Sequence, residues 1–397
     1  MEAVRKKLLF ISSQLPFPPL SGGVIKSFKL LEYFSNHYQT TLACPLKFDD
    51  AEHIGELQHM LPNLTILARQ TQIERNAFNW LQSMLHGKTM NEWRSFNKRL
   101  YNDIQEVLNE ADIVFIDHYE VFQYLPPTLS TKVVLHTHNA EGQIWHRYAA
   151  ITSNVLKRQL IRLESKRIEQ KEKLYAQKAD LVLAAPADIN YLKTAQAAPF
   201  IPTYHLGNDH LLNLPNLNYA ETENTLMYVG TLTWEANVDG LLWFKRNVWP
   251  QLTANNSTLE FVIIGKNPDE RLLQWANNDN QVRVTGFVPD LEPYYQKARL
   301  FMVPLRFGSG MKVKILDAFY RGLPVATTGI GMESIDAFDN EHALVEDDAN
   351  LLGEKILNLM GNQKDWERIS VNSRLLAKEK YTWLQHLKNL HNAIEQL

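Results

Sequence analysis

The stretch from Leu300 to Thr328, "LFMVPLRFGSGMKVKILDAFYRGLPVATT", runs through a short apolar segment, a glycine-rich loop, a helical pattern and a second apolar segment. The outer segments, "LFMVPL" and "PVATT", are short and bounded by glycine and proline, which reads as buried strands. Between them Met311, Ile315, Leu316 and Phe319 recur at helical spacing. Strand, helix and strand in that order form the unit of a parallel sheet covered by helices. First turns of helices favour acids, because their free N–H groups carry partial positive charge, yet this one holds Lys312 and Lys314 and no acid before Asp317. With Arg306, three cations fall within nine residues, and Gly308, Ser309 and Gly310 give a flexible approach to the helix start. Free amides, helix dipole and lysines converge on a phosphate-sized anion. The plain alternative is a solvated basic face. Asp317, one turn beyond Lys314, is suited to accept hydrogen bonds from paired ribose hydroxyls, so the combination suggests a nucleoside diphosphate. Its alternative is an internal salt bridge to Lys314 or Arg321, worth only about 0.2–0.5 kcal/mol when exposed.

The same alternation extends in both directions. "KLLFISS", "TTLACPL", "LTILA", "DIVFID", "KVVLHTH" and "DLVLAA" read as strands in the first half, and "LMYVGTL", "LEFVIIG" and "VRVTGF" precede the opening stretch in the second. The class is α/β. A chain of 397 residues exceeds the size at which one core stops growing, so two domains are expected, over 1–205 and 226–380. Residues 206–225 lie in "HLGNDHLLNLPNLNYAETENT", which has no sustained period and reads as a linker. The tail, 381–397, is helical, with Trp383, Leu384, Leu387, Leu390 and Ile394 on one face that needs a partner surface.

A formal net charge of -3 supplies no overall field for nucleic acid, so any anion site must be local. Cys44 stands alone, which excludes an intrachain disulfide and a cysteine-based zinc site and fits a reducing cytosol. The start, "MEAVRKKLLFISSQLPFP", has only a short apolar run ending in prolines, so no leader is expected, and no run of 18 apolar residues suggests a span.

Open parallel sheets bind ligands beyond the carboxyl ends of their strands. After "KLLFISS", Ser21, Gly22 and Gly23 lead into a helical pattern, permitting close approach of an anion or forming a plain tight turn. After "KVVL", His136 and His138 stand two apart; they are metal ligands, sugar-contacting or catalytic histidines, or ordinary buried ones. The metal reading is weakest, since neither HExxH nor cysteine accompanies them and Glu141 is the only near acid in sequence. Ile151 to Asp180 carries eight Lys or Arg against four Asp or Glu on a long helix, a candidate contact with anionic lipid or else a solvated face.

These motifs resemble the GT-B glycosyltransferases, in particular the large retaining family 4, the group 1 transferases. The resemblance rests on "YVGTLTWEANVDGLLWF", "VTGFVPDLEPYYQKA", "PLRFGSGMKVKILDAFYRGLPVATT" and "YTW" in the second half. In the first half it rests more loosely on "PFPPLSGG", "HTHNAEGQIWHR" and "LGND". It implies two Rossmann-like domains with parallel sheets facing a central cleft and a C-terminal helix crossing back to the N-terminal, acceptor domain. It implies that the C-terminal domain binds a nucleotide-sugar donor. By the same resemblance Gly22 and Gly23 lie near the donor diphosphate and His138 near the transferred sugar. Gly230 and Thr231 form the turn opening the second domain, Gly286, Phe287 and Val288 hold the nucleobase, and Asp317 binds ribose. Two departures stand out: Ser309 occupies the place of the family's first acid, and "TLTWEANVDG" lacks the usual Arg and Lys, which leaves the phosphate to Lys312 and Lys314, with Arg306 as a further candidate.

The implied reaction is metal-independent, retaining transfer of a sugar to a glycan or lipid-linked acceptor of a cell-surface polysaccharide or lipopolysaccharide, without a cofactor. The implied location is cytoplasmic, with peripheral contact at the inner face of the membrane. A catalytically silent GT-B partner protein and a nucleotide-sugar epimerase of the same fold are the alternatives.

Overall fold

The structure, a computed structural model, describes residues 5–20, 22–71, 73–194, 198–204 and 206–397. Ser21 and the proposed boundary residue His205 lie outside the described residues. The chain divides into two compact units, Met1–His205 with Leu384–Leu397, and Leu206–Trp383.

Among the described residues, the first unit has seven parallel strands: β1 (Lys7–Ser12), β2 (Gln39–Leu46), β3 (Thr65–Gln70), β4 (Ile113–Asp117), β5 (Lys132–His136), β6 (Leu181–Ala184) and β7 (Phe200–Pro202). Their order is β3-β2-β1-β4-β5-β6-β7. Successive side chains of a strand point to opposite faces, and here both faces are buried. Leu8 and Phe10 of β1 join Phe115 of β4 and Phe34 in one core cluster. Leu9 and Ile11 join Val114 and Ile116 in another. This two-sided burial produces the unbroken apolar runs seen in the sequence. The C-terminal helix Trp383–Glu395 delivers Leu390 and Ile394 to the first cluster, each burial worth about 1.5–3 kcal/mol. Leu384, read as part of the same stripe, is exposed.

The second unit repeats the plan. Its strands are β8 (Thr225–Val229), β9 (Glu260–Ile264), β10 (Val282–Gly286), β11 (Leu300–Val303), β12 (Val325–Thr327) and β13 (Leu344–Val345), in the order β10-β9-β8-β11-β12-β13. In both sheets the order reverses beside the first strand, between β1 and β4 and between β8 and β11. Chains leaving those strand ends turn to opposite faces and open a crevice.

Residues 206–225 are not a free connection. They carry two short 3-10 turns and belong to the second unit. The Arg299 guanidinium lies 3.6 Å from the Tyr219 ring centroid, Tyr219 donates to the Met360 carbonyl at 2.7 Å, and Arg374 donates to the Leu212 carbonyl at 2.7 Å. Side chains from distant elements order the segment, so it needs no period of its own.

Candidate active site

In the first unit the switch point is built around Asp117, the last residue of β4. Its neighbour in register on β1 is Ser12, whose hydroxyl donates to Asp117 Oδ2 at 3.2 Å. The Ser27 hydroxyl donates to the same oxygen at 2.6 Å. The other oxygen, Oδ1, lies 2.7 Å from His136 Nδ1 and 2.7 Å from His138 Nε2. Burial opposes ionisation of Asp117, but the two histidines overcome it and hold the carboxyl well below its usual range. Burial, helped by the Lys26 ammonium, lowers His136 to about 3, and burial, helped by His118, holds His138 well below the usual imidazole range. Neutral imidazoles donating N–H to a carboxylate satisfy all three directions.

Gly22 and Gly23 are the first two residues of the helix Gly22–His37, and not a loop ahead of it. A Cβ on Gly23 would meet His138 Nδ1 at 3.4 Å, so the small residue lets the ring lie against the helix start. The His138 ring also stacks on His118 at a centroid distance of 3.9 Å. His118 has φ 88°, a conformation that costs an L-residue on the order of 1–3 kcal/mol and that fixes this ring at the strand end.

Asp117, His118, Ser27 and Lys26 were not singled out from the sequence. Asp117 and not Glu141 is the acid that meets the histidines, and its signal was the carboxylate ending the apolar run "DIVFID". Lys26 is fully buried and, among the described residues, its ammonium has no hydrogen-bond partner. Burial lowers it to about 7 against the pull of Asp117 and Asp188. Its signal was helical phase: Lys26, Leu30 and Phe34 lie on one buried stripe. Asp117, His136 and His138 offer ligand-type atoms within 4.8 Å of one another. Those atoms are already joined by two N–H···O bonds beside a buried ammonium, so a cation would have to break both bonds and face the charge of Lys26.

In the second unit the switch point lies at the ends of β8 and β11. The helix Val313–Arg321 begins two residues later than the spacing suggests, with Lys312 as its N-cap and Lys314 in its first turn. Ile315, Leu316 and Phe319 are fully buried, and Gly322, at φ 72°, ends the helix in the left-handed conformation. This packing leaves Lys314 beneath the Gly230 turn. Its ammonium donates to the Tyr228 hydroxyl at 2.8 Å and lies 3.3 Å from Asn237 Oδ1. A Cβ on Gly230 would stand 2.6 Å from Lys314 Nζ and 2.7 Å from the Tyr228 hydroxyl, so a side chain there would displace the lysine's end. Thr231 is exposed, and its carbonyl accepts from Asn237 at 2.9 Å. Burial, then Lys312, lowers Lys314 to about 7.

Asp317 is held differently. Its carboxylate accepts the Asn208 N–H at 3.4 Å and, among the described residues, forms no ion pair. Arg321 instead pairs with Glu292 at 2.9 Å and donates to the Asp317 backbone carbonyl. A Cβ on Gly207 would fall 2.1 Å from Asp317 Oδ1, so the "LGND" step brings bare backbone against this acid. Burial raises Asp317 to about 6, against Arg321 and the Asn208 N–H.

The other candidates are placed less uniformly. Lys312 folds back, donating to the Gly310 carbonyl at 2.7 Å with Glu333 at 3.6 Å. Arg306 makes a bidentate pair with Asp239 at 2.5 and 2.8 Å, which fills its fork. Gly308 and Gly310 adopt φ 148° and 67°, so the loop needs glycine at both, and Ser309 between them is buried. Gly286, at φ 74°, ends β10, with Phe287 exposed and Val288 half-buried behind it. Lys266 lies 4.8 Å from the Phe287 ring centroid.

Residues 223–362 match the family model described as "Glycosyl transferases group 1". They form a group 1 glycosyltransferase domain. Every candidate residue of the second unit, from Gly230 to Asp317, falls inside this glycosyltransferase domain, whereas Gly22, Gly23 and His138 lie outside it. Along nearly its whole length the chain is similar to an uncharacterized 44.6 kDa protein in the cps region of Klebsiella pneumoniae, with 23% identity over 94% of this chain and 96% of that one. Sucrose-phosphate synthase from Thermosynechococcus elongatus shares the fold at a TM-score of 0.68 and 16% identity, over 99% of each chain. HepE from Anabaena, solved with UDP-glucose, shares it at 0.65 and 12%, over 98% of this chain and 100% of its own. TarM from S. aureus, solved with UDP among other ligands, shares it at 0.66 and 11%, over 98% and 99%. The glycosyltransferase domain and the unit preceding it therefore have the two-domain GT-B architecture.

Proposed function

We propose that the protein transfers a sugar from a nucleotide-diphosphate sugar to an acceptor hydroxyl, with retention of anomeric configuration and without a metal ion. The observation that carries this reading is the placement of Lys314 under Gly230, in the first turn of a helix whose next turn presents Asp317. An ammonium below a glycine turn suits the diphosphate, and a carboxylate with one weak backbone donor suits two ribose hydroxyls. The nucleotides bound by HepE and TarM support the same class of donor.

In this reading the bond from the anomeric carbon to the diphosphate breaks as a bond from the acceptor oxygen forms on the same face. The acceptor proton passes to an oxygen of the departing diphosphate. Charge grows on that leaving group, and Lys314, Lys312 and the helix amides oppose it, a role for which preorganised donors are well suited. His138, neutral and oriented by Asp117, is assigned to a hydroxyl of the transferred sugar. The similarity to a protein of a cps region supports a surface-polysaccharide or lipid-linked glycan as acceptor.

Lys314→Ala is the test. Titration calorimetry with a nucleoside diphosphate should show affinity lost by a factor on the order of one hundred while the fold is retained. Unchanged affinity would sink the phosphate role. Unchanged turnover in the presence of a chelator is the expected result for the metal-free part.

A further inference from the structure

Two arginines of the first unit are laced together without an acid partner among the described residues. The segment after β3 and the helix Met90–Ser95 exchange side-chain bonds: Arg75 Nη2 donates to Asn91 Oδ1 at 2.7 Å, and Arg94 Nε donates to the Ile73 carbonyl at 2.9 Å. Asn91 and Arg94 are one helical turn apart, and Ile73 and Arg75 are two residues apart, so the crossed bonds bring both guanidinium groups to one place. A guanidinium has five N–H donors. Among the described residues each of these side chains uses one donor, and neither forms an ion pair. Burial, then the neighbouring Arg75, lowers Arg94 from its usual value, against the pull of Glu120.

Groups of a different kind adjoin them. Arg75 lies 5.8 Å from the Trp145 ring centroid, and Glu141 precedes Trp145 by one turn on the helix Glu141–Ile151. The Glu120 side chain is mostly buried; its Oε2 lies 4.0 Å from His118 Nδ1 and has no hydrogen-bond partner among the described residues. Burial, then Glu120, raises Glu141 to about 6, against His118 and Arg75. These segments follow the carboxyl ends of β3, β4 and β5, where open sheets bind ligands. Through His118 the cluster adjoins His138, on which that ring stacks. Two guanidinium groups and two carboxylates stand near one another without pairing. Kept apart, the first can take an anion and the second can accept from hydroxyl groups.

We infer that this corner of the first unit binds the acceptor as a sugar bearing an anionic substituent, a carboxylate or a phosphate, with Arg75 and Arg94 on the anion and Glu120 and Glu141 on hydroxyl groups. Planar guanidinium forks suit either anion, because both offer two oxygens to parallel N–H groups. The orphaned Glu120 oxygen gains a donor when a hydroxyl arrives. That the sugar is an acceptor rests on the proposed transfer reaction; that the corner takes an acidic sugar does not.

The test is ligand-observed NMR of the full chain with a nucleoside diphosphate in excess, titrated with methyl glucoside, methyl glucuronide and glucose 6-phosphate. At least one acidic sugar should bind on the order of tenfold more tightly than the neutral one, and which one does so distinguishes carboxylate from phosphate. Arg75→Gln with Arg94→Gln should abolish that preference. Arg75 is exposed, so Arg75→Gln alone reports on a folded chain and should weaken it. Glu120→Gln should weaken all three sugars and leave the preference in place. Equal binding of the three sugars, binding of none, or a preference that survives in the arginine variants would overturn the proposal. Nucleoside diphosphate affinity should stay unchanged in these variants. A parent that binds an acidic sugar but no nucleoside diphosphate would count against the donor reading and leave this subsite standing.

Discussion

The two switch points occupy the same place in the same strand order, yet they are finished to different degrees. At the end of β4 Asp117 is saturated, with two imidazoles on one oxygen and two serine hydroxyls on the other. Beside β8 and β11 Lys314 has two neutral partners and no carboxylate among its hydrogen bonds, and Asp317 has one long one. Burial moves both of these groups toward their neutral forms. A saturated network fixes orientation and keeps its charge through internal contacts, whereas an unsaturated one reserves its hydrogen bonds for something that arrives. On the proposed reading the first switch point positions and the second binds.

Removing the central carboxylate from each site should separate these roles most strongly. Asp117→Ala strands two imidazole N–H groups and leaves the Lys26 ammonium without its nearest counter-charge, which should cost roughly 3–5 kcal/mol. For a unit of this size that corresponds to a melting temperature lower by roughly 10 °C, read by calorimetry. Asp317→Ala should leave the thermal transition unchanged or raise it, because the wild-type acid is already destabilised by burial. Equal losses in both variants would erase the distinction. Next in size is the ligand effect of Asp317→Asn. Affinity for a ribonucleotide sugar should drop about tenfold, and the parent's preference over the 2′-deoxy donor should disappear. A variant that keeps its ribose preference would break the assignment.

The pH dependence sharpens the same contrast. Asp317 has a folded value raised to about 6, so its ionised, ribose-accepting form appears as pH rises through 6. Lys314 has a folded value lowered to about 7, so its phosphate-binding ammonium is lost as pH rises through 7. Affinity for an intact nucleotide sugar should therefore peak between about pH 6 and 7 and fall on both sides. Lys314→Met should remove the alkaline limb, a prediction for titration across that range. In the unliganded protein the linkage runs oppositely for the lysine. Between about 7 and its unfolded value the unfolded chain binds more protons, so this group's contribution to stability rises with pH.

The strands were legible because burial on both faces demands unbroken apolar runs, and eleven of these were read from the sequence. Two of the four edge strands, Phe200–Pro202 and Leu344–Val345, were not, since three and two residues carry no period. Site residues were legible where a loop follows a strand, as with His138, Gly230 and Lys314. Their partners were not. Lys314 meets Tyr228 and Gly230 because β11 pairs with β8, a relation that no local pattern encodes. The Asp317 contact with Gly207 and Asn208 depends likewise on the ordering of 206–225 by Tyr219, Arg299 and Arg374. Arg306 illustrates the reverse: its charge suggested phosphate, but Asp239, 67 residues earlier, occupies the guanidinium.

Lys26 gives the smallest expected effect. Its ammonium is buried without a hydrogen-bond partner among the described residues, so replacing it with methionine removes a desolvation cost and also removes the charge that faces Asp117. If the four hydrogen bonds are what keep Asp117 ionised, these changes nearly cancel and Lys26→Met should alter stability at pH 7 by about 1 kcal/mol or less. The slope with pH distinguishes this from simple tolerance. The parent's lysine has a folded value near 7 and binds fewer protons than the unfolded chain from there to about 10, so its contribution rises with pH in that window. Lys26→Met should flatten that rise in the first unit's unfolding transition. A loss of several kcal/mol at pH 7 would mean instead that Asp117 relies on Lys26 for its charge, and the first switch point would then be no more self-sufficient than the second.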